Sequence, residues 1–350
     1  MGLLDKFQNL KESVGEWAEN RGASSLDRQI EKNLATMEAG AEIERTAAVK
    51  ALIIQAQTDE KWLEPIVKSF LRVLPKQLSS PQEAIIDALL ELRKKVPSLK
   101  SEIKEAVQST LDSPYPNVRA KVISIWTDLA LKSNTQSSDT IADLFIMLSD
   151  DDKDVRYQTQ ESLSKILHSI PRVALPELKQ ALGDEDWRVV YHSIVILTEF
   201  AKKNGKVCVS LAPEVVLAFN SGDRLKERAA DCIGIIGLAN PNSVKNAVPG
   251  LINGLGSKSS ELRKASATAI GRIGSKDAMV VFHAVPKLAK ALKNEDWYVH
   301  VEVLKALGYI GSNKPTLVKP HLELIRNKTK TGAERNICDA AKWALKKAGG

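Results

Sequence analysis

The sequence predicts an all-α protein, an α-solenoid superhelix of about nine antiparallel helix pairs with a separate amphipathic helix at its N-terminus. Three observations carry that reading. Apolar residues recur with helical rather than strand periodicity. A two-helix pattern repeats, its second segments opening at Val118, Val155, Val189, Leu225, Leu262, Val299 and Ile337, with spacings of 37, 34, 36, 37, 37 and 38 residues. Aromatic residues make up only 5% of the chain while Ala, Leu, Ile and Lys abound, a balance that favours helix over sheet. One pair of such helices cannot bury its own apolar face, so neighbouring pairs must stack to build a continuous core. Nine layers at roughly 9–10 Å each would run some 80–90 Å.

The N-terminal element comes first. Leu3, Leu4, Phe7, Leu10, Val14 and Trp17 fall on one stripe of a helix over residues 1–22, with Asp5, Lys6, Lys11, Glu12 and Glu16 opposite. Solenoids need a cap over their open end, and this segment suits that role. The alternative is an anchor for a partner or for a membrane interface through residues 1–21, against which the mixed charge of the polar face weighs. Lys6 stands where a myristoylation signal needs Ser or Thr.

The solenoid is expected over residues 24–348, with repeats at 24–57, 60–96, 98–132, 138–169, 171–203, 208–239, 242–274, 277–311 and 315–348. Within each second helix the offsets 0, +4, +7/+8 and +11 from the opening residue share one face. Offset +8 carries Trp126, Leu163, Leu197, Ile233, Ile270, Leu307 and Leu345, and offset +11 carries Leu129, Ile166, Phe200, Ile236, Ile273 and Ile310. At +9 stand Thr127, Ser164, Thr198, Gly234, Gly271 and Gly308, small enough for neighbouring helices to approach closely. Gly237, Gly274 and Gly311 at +12 are expected to end their helices in left-handed caps. In the first helices Pro176, Pro213, Pro249 and Pro286 recur 12 or 13 residues before the opening positions, which suits the first turn. Asp184-Glu185-Asp186 and Glu295-Asp296 supply caps for the second helices.

These marks resemble the HEAT-repeat family: proline in the first helix, Asp in the turn, and a Val-Arg pair opening the second helix, as in Val118-Arg119, Val155-Arg156 and Leu262-Arg263. Val189-Val190 and Val299-His300 depart from the pair, so the resemblance implies that the family's Asp–Arg ladder breaks there. The resemblance also implies a long concave surface, lined by second helices, that holds another macromolecule. It chooses no function, because the family includes phosphatase scaffolds, transport receptors, coat adaptins, tubulin-binding modules and phycobilin lyases.

Nothing in the sequence asks for catalysis, and no catalytic residue, metal or cofactor is expected. Asp150-Asp151-Asp152-Lys153-Asp154 with Glu161 mimics a calcium loop, but Val155 stands where that loop needs Gly; helix capping is the expected role. The five histidines are scattered over different repeats, and Cys208, Cys232 and Cys338 show no C-x-x-C spacing. Cys232 falls on the core stripe, so a buried, inert thiol is expected.

Charge points to a partner. Residues 1–200 carry 25 Lys+Arg against 31 Asp+Glu, and residues 201–350 carry 25 against 12. Lys264, Arg272, Lys305, Lys342 and Lys346 lie off the core stripe of the last second helices, and Lys258 and Lys293 lie in turns. Glu161, Glu199 and Asp231 hold comparable places earlier. Any one of these fits a solvated face; a change of sign along the chain fits a surface for an anionic partner. Trp187 and Trp297, in matching Glu-Asp-Trp turns, are either binding anchors or staples over the next layer. The expected function is a non-catalytic protein–protein scaffold or adaptor whose basic C-terminal third meets an acidic surface. The alternatives are a DNA-glycosylase-like nucleic-acid binder and a repeat-type lyase. Without an apolar run of about 18 residues or a secretory leader, the expected place is the cytoplasm, peripheral at a membrane if the first 21 residues bind one.

Overall fold

The computed structural model describes residues 25–132, 137–293, 297–330 and 334–349, the side chains of Ser137 and Trp297 excepted. The expected helix over 1–22, with Leu3, Leu4, Phe7, Leu10, Val14 and Trp17, lies outside these residues. The chain divides into two compact units, one ending at Ile125 and the other beginning at Trp126. The first holds α1 (Ser25–Ala39), α2 (Glu42–Thr58), α3 (Leu63–Val73), α4 (Ser79–Leu92), α5 (Lys100–Ser109) and the start of α6 (Pro116–Lys132). The second holds α7 (Ser137–Ile146), α8 (Lys153–Ser169), α9 (Pro171–Ala181), α10 (Trp187–Cys208), α11 (Ala212–Ser221), α12 (Asp223–Ala239), α13 (Val248–Gly254), α14 (Ser260–Lys276), α15 (Val285–Ala291) and α16 (Trp297–Asn313). It ends with α17 (Pro315–Val318), α18 (Leu322–Asn327) and α19 (Arg335–Ala348). The described residues contain no strand, and the helices stack as antiparallel pairs, as the sequence predicts. No described helix is long and apolar enough to cross a membrane.

The two helices of a pair differ in regularity. In the last repeats the second helices α12, α14 and α16 are each 17 residues of uninterrupted α-helix. Their first-helix partners are short and enter through a 3-10 turn, as at Val209–Leu211, Pro241–Ala247 and Phe282–Ala284. Proline explains the pattern. Pro213, Pro249 and Pro286 each occupy the second position of an α-helix, where no intrahelical N–H bond is lost. Pro176 differs, sitting inside α9, whose first position belongs to Pro171.

The core lies where the periodicity puts it. All seven opening residues from Val118 to Ile337 are buried, as are Trp126, Leu163, Leu197, Ile233, Ile270 and Leu307 at offset +8. Leu345, in the final layer, is half-buried. In the second unit α8, α10, α12, α14, α16 and α19 pack in succession, and in the first α2 packs on α4.

Glycine at +9 has the expected packing reason. A Cβ on Gly234 would stand 2.8 Å from Ala269 Cα, and one on Gly271 would stand 2.8 Å from Ala306 Cα. The expectation for +12 fails. Gly237, Gly274 and Gly311 lie inside helices that continue past them, and among the described residues only Gly349 has positive φ. They serve close packing instead: a Cβ would fall 2.5 Å from Ile273 Cγ1 at Gly237 and 2.5 Å from Ile310 Cγ1 at Gly274.

The turns show what the arginine beside the opening residue of a second helix does. Arg119 Nη1 donates to Ser113 O at 2.6 Å, Arg156 Nη1 to Asp151 O at 3.0 Å, and Arg263 Nη1 to Lys258 O at 3.0 Å. Each guanidinium thus reaches back across the intra-repeat turn and satisfies carbonyls that no helix uses. Asp152 caps α8 by accepting from the backbone N–H of Asp154 and Val155, and Asp186 caps α10 by accepting from Arg188 N–H. The expected break at Val189-Val190 is bridged by the preceding residue: Arg188 pairs with Asp151 of the earlier layer at 3.1 Å and with Asp186 at 2.8 Å.

Candidate functional site

The glycine seam sets how the exposed faces of the second helices meet. α12, α14 and α16 approach closely near their middles, and side chains on either side of the seam glycines border hollows between the layers. α10 contributes an extension. Its backbone leaves helical geometry at Asn204 (φ −122°, ψ 30°), where Asn204 Nδ2 donates to Phe200 O at 3.2 Å, and the helix then runs on to Cys208. That extension brings Gly205 and Lys206 beside α12.

Two adjoining hollows result. One, of about 340 Å³, is lined by Leu238, Thr268, Gly271, Arg272, Ser275, Glu302, Lys305, Ala306 and Tyr309. The other, of about 570 Å³, is lined by Ala201, Lys202, Gly205, Lys206, Ile235, Leu238, Ala239, Arg272 and Lys276. Leu238 and Arg272 belong to both, so the two form one groove. Its floor is apolar, and Leu238 and Tyr309 keep 36% and 42% of their surface exposed. Its rim is cationic: Lys202, Lys206, Arg272, Lys276 and Lys305 stand against one lining carboxylate, Glu302.

Two lysines of the groove hold close ion pairs, whereas the pairing of Arg272 is loose. Lys305 Nζ lies 3.0 Å from Glu302 Oε1, and Thr268 Oγ1 donates to Glu302 Oε2 at 3.4 Å. Lys202 Nζ lies 2.6 Å from Glu199. Arg272 Nη1 stands 3.8 Å from Asp231 Oδ1, beyond hydrogen-bond reach, and makes no hydrogen bond within the described residues. Burial pushes the Asp231 carboxyl above the usual carboxylate range, and the cationic neighbours Arg272 and Arg228 offset this in part.

Of the cations singled out in the sequence, Arg272 and Lys305 meet in this groove. Lys264 lies toward the N-terminal end of α14, where its Nζ donates to Tyr298 Oη at 3.2 Å and sits 4.6 Å from the centre of that ring. Lys258 and Lys293 are exposed in turns, and Lys342 and Lys346 are exposed on α19, outside both hollows. Trp187 is 43% exposed, and Arg224 of the next layer sits 4.8 Å above its ring. The side chain of Trp297 lies outside the described residues. Sequence reasoning missed Leu238, Tyr309, Lys202, Lys206 and Lys276. The available signal was a large apolar residue at an offset that the core stripe does not use: +13 for Leu238 and +10 for Tyr309.

Two of the three cysteines lie in the core. Cys232 is fully buried and its thiol is pushed up to about 12 by burial; Cys208 is likewise pushed up to about 11. Neither supplies thiolate near neutrality. Among the described residues no three His, Cys, Asp or Glu side chains gather as a metal site.

Residues 248–340, which span α13 to the first turns of α19, match the family model for HEAT repeats. No curated protein matches the chain in sequence. Among solved structures, Kap121p bound to Pho4p and Kap121p bound to Nup53p each align with 93% of this chain at 14% identity and a TM-score of 0.59. Kap121p by itself aligns with 94% at 15% identity and the same TM-score of 0.59. The chain spans only 38% of the length of each of those proteins. Sequence across residues 248–340 and backbone similarity over nearly the whole chain agree on one architecture: this is a HEAT-type helical-repeat fold.

Proposed function

We propose that the chain is a non-catalytic scaffold or adaptor that holds a protein partner against its second helices, with the basic C-terminal third facing an acidic surface of that partner. The groove over α10, α12, α14 and α16 carries the proposal, because it combines five cations with an exposed apolar floor. Apolar area supplies affinity, while the cations steer and select. Lys258, Lys264, Lys293, Lys342, Lys346 and Trp187 extend the contact beyond the groove, and the site of action is the cytoplasm. The fold is one that binds proteins elsewhere, as in Kap121p with Pho4p or Nup53p.

Affinity purification of the intact chain, read by mass spectrometry, tests this. Arg272→Glu with Lys305→Glu should cut recovery of the principal partners about tenfold or more; equal recovery rejects the groove as the binding surface. The same cations would serve a nucleic acid, whose binding would fall steeply as salt rises. A gel-shift series between low and physiological salt separates the two readings. Deleting residues 1–21 should leave liposome association unchanged if that segment caps the solenoid; loss of association would assign it to the membrane.

A further inference from the structure

The groove has an internal order that says more about its occupant. Arg272 and Leu238 lie at the junction of the two hollows, and each hollow has apolar lining on its own side of that junction. Leu238, Ala306 and Tyr309 floor one; Ile235, Leu238 and Ala239 floor the other. A guanidinium set between two apolar floors fits a carboxylate between two apolar side chains. We infer that, on the scaffold reading above, the groove binds an extended peptide segment of the partner in which an acidic residue, seated on Arg272, is flanked on both sides by apolar residues, one in each hollow.

The state of Arg272 supports this. A guanidinium offers five donors, and Nη1 reaches only a carboxylate 3.8 Å away. The side chain keeps 33% of its surface open, so the pairing with Asp231 does not enclose it. Nη1 itself is buried, so a ligand carboxylate would accept its charge-assisted bond from the donors on the exposed third of the side chain. The lining around the second hollow adds Lys206 and Lys276 beside the Lys202–Glu199 pair, so the wider field also favours an anionic chain. Spacing favours an extended backbone. Neighbouring packed helices lie about 8–10 Å apart, and three residues of a polyproline-type chain advance roughly 9 Å. Every third side chain of such a segment therefore meets a new layer. A purely acidic chain would leave Leu238 and Tyr309 uncovered, and a purely apolar one would leave Arg272, Lys206 and Lys276 without a close carboxylate.

The test is selection of random twelve-residue displayed peptides on the intact chain at about physiological salt, followed by fluorescence anisotropy with the synthetic winners. Selected peptides should share an Asp or Glu with apolar residues two to four positions away on each side. Arg272→Gln should weaken them about tenfold, and Leu238→Ser several-fold, with unchanged helical circular dichroism showing that both variants fold. Replacing the peptide's acidic residue by its amide should cost wild type about tenfold and Arg272→Gln almost nothing. Basic or patternless winners, no winners, or winners that bind both variants like wild type would overturn the inference. If the double variant of the purification experiment still loses the natural partners while the peptides fail, the scaffold reading survives and this mode of recognition does not. If the natural partners are recovered equally by that variant, the scaffold reading of the groove fails first.

Discussion

In the first unit buried polar side chains tie adjacent layers, whereas in the last repeats of the second the middles of the second helices meet through glycine and alanine. Trp62 Nε1 donates to the buried Asp27 at 2.8 Å, with Lys61 Nζ 3.0 Å from the same carboxylate. Gln77 Nε2 donates to Met37 O at 3.2 Å, and Ser113 Oγ donates to Gln82 Oε1 at 2.7 Å. Between α12, α14 and α16, by contrast, a glycine Cα faces the backbone of an alanine in the next layer. Buried polar ties fix the register of two layers, but each partner depends on the other once water is excluded. A small-residue seam fixes register by shape and leaves the surface of the helix free. The groove with its five cations lies on the second kind of seam, where exposed charge can vary with little effect on folding.

The largest expected effect comes from filling that seam. Gly271→Val should destabilise the second unit by about 3 kcal/mol, because the new side chain collides with the Ala306 backbone. All three cysteines belong to this unit, so pulsed thiol labelling reports its opening alone. Cys338, half-buried, should label in the native chain, and Cys208 and Cys232 only on unfolding. Gly271→Val should lower the denaturant midpoint for labelling Cys208 and Cys232; an unchanged midpoint would mean that the seam is loose.

Cutting a polar tie should matter somewhat less. Asp27→Ala removes the buried acceptor of the Trp62 indole N–H and should cost the first unit about 2 kcal/mol. Amide hydrogen exchange of α1 and α2 would follow it, while the labelling midpoints of Cys208 and Cys232 should hold. If they move equally, the two units do not unfold independently.

The smallest effect concerns Asp231. Its folded pKa is raised by burial, so the folded state binds the proton more tightly than the unfolded one. Its favourable contribution is complete below the unfolded value of about 4 and is lost as pH rises through the folded value. Asp231→Asn should therefore match wild type at acid pH and gain a slight advantage in thermal midpoint toward pH 7. A deficit at pH 7 would show that the distant ion pair with Arg272 outweighs burial.

Periodicity made the core legible, because offsets 0, +4, +8 and +11 must share one face of any helix. The same argument placed Cys232 inside. It failed at Gly237, Gly274 and Gly311, since a glycine near the end of a pattern looks like a cap until the neighbouring layer is seen pressing against it. Arg272 and Lys305 were legible as cations off the stripe. That they share a groove with Leu238 was not, because it depends on the relative rotation of α12, α14 and α16. Arg188 compensating for Val190 was equally hidden, as a long side chain reaches its carboxylate from either neighbouring position.

The pairing of Gly234 with Ala269, and of Gly271 with Ala306, also dictates how the array could be lengthened or shortened. Each interface needs a socket on one repeat and a plug on the next, so a spliced junction works only where both halves are present. Cuts placed in the turns after α12, α14 or α16 keep socket and plug interchangeable. A module from these repeats spliced beside α2 or α4 would find no socket there, and the transplanted array would come apart at that join.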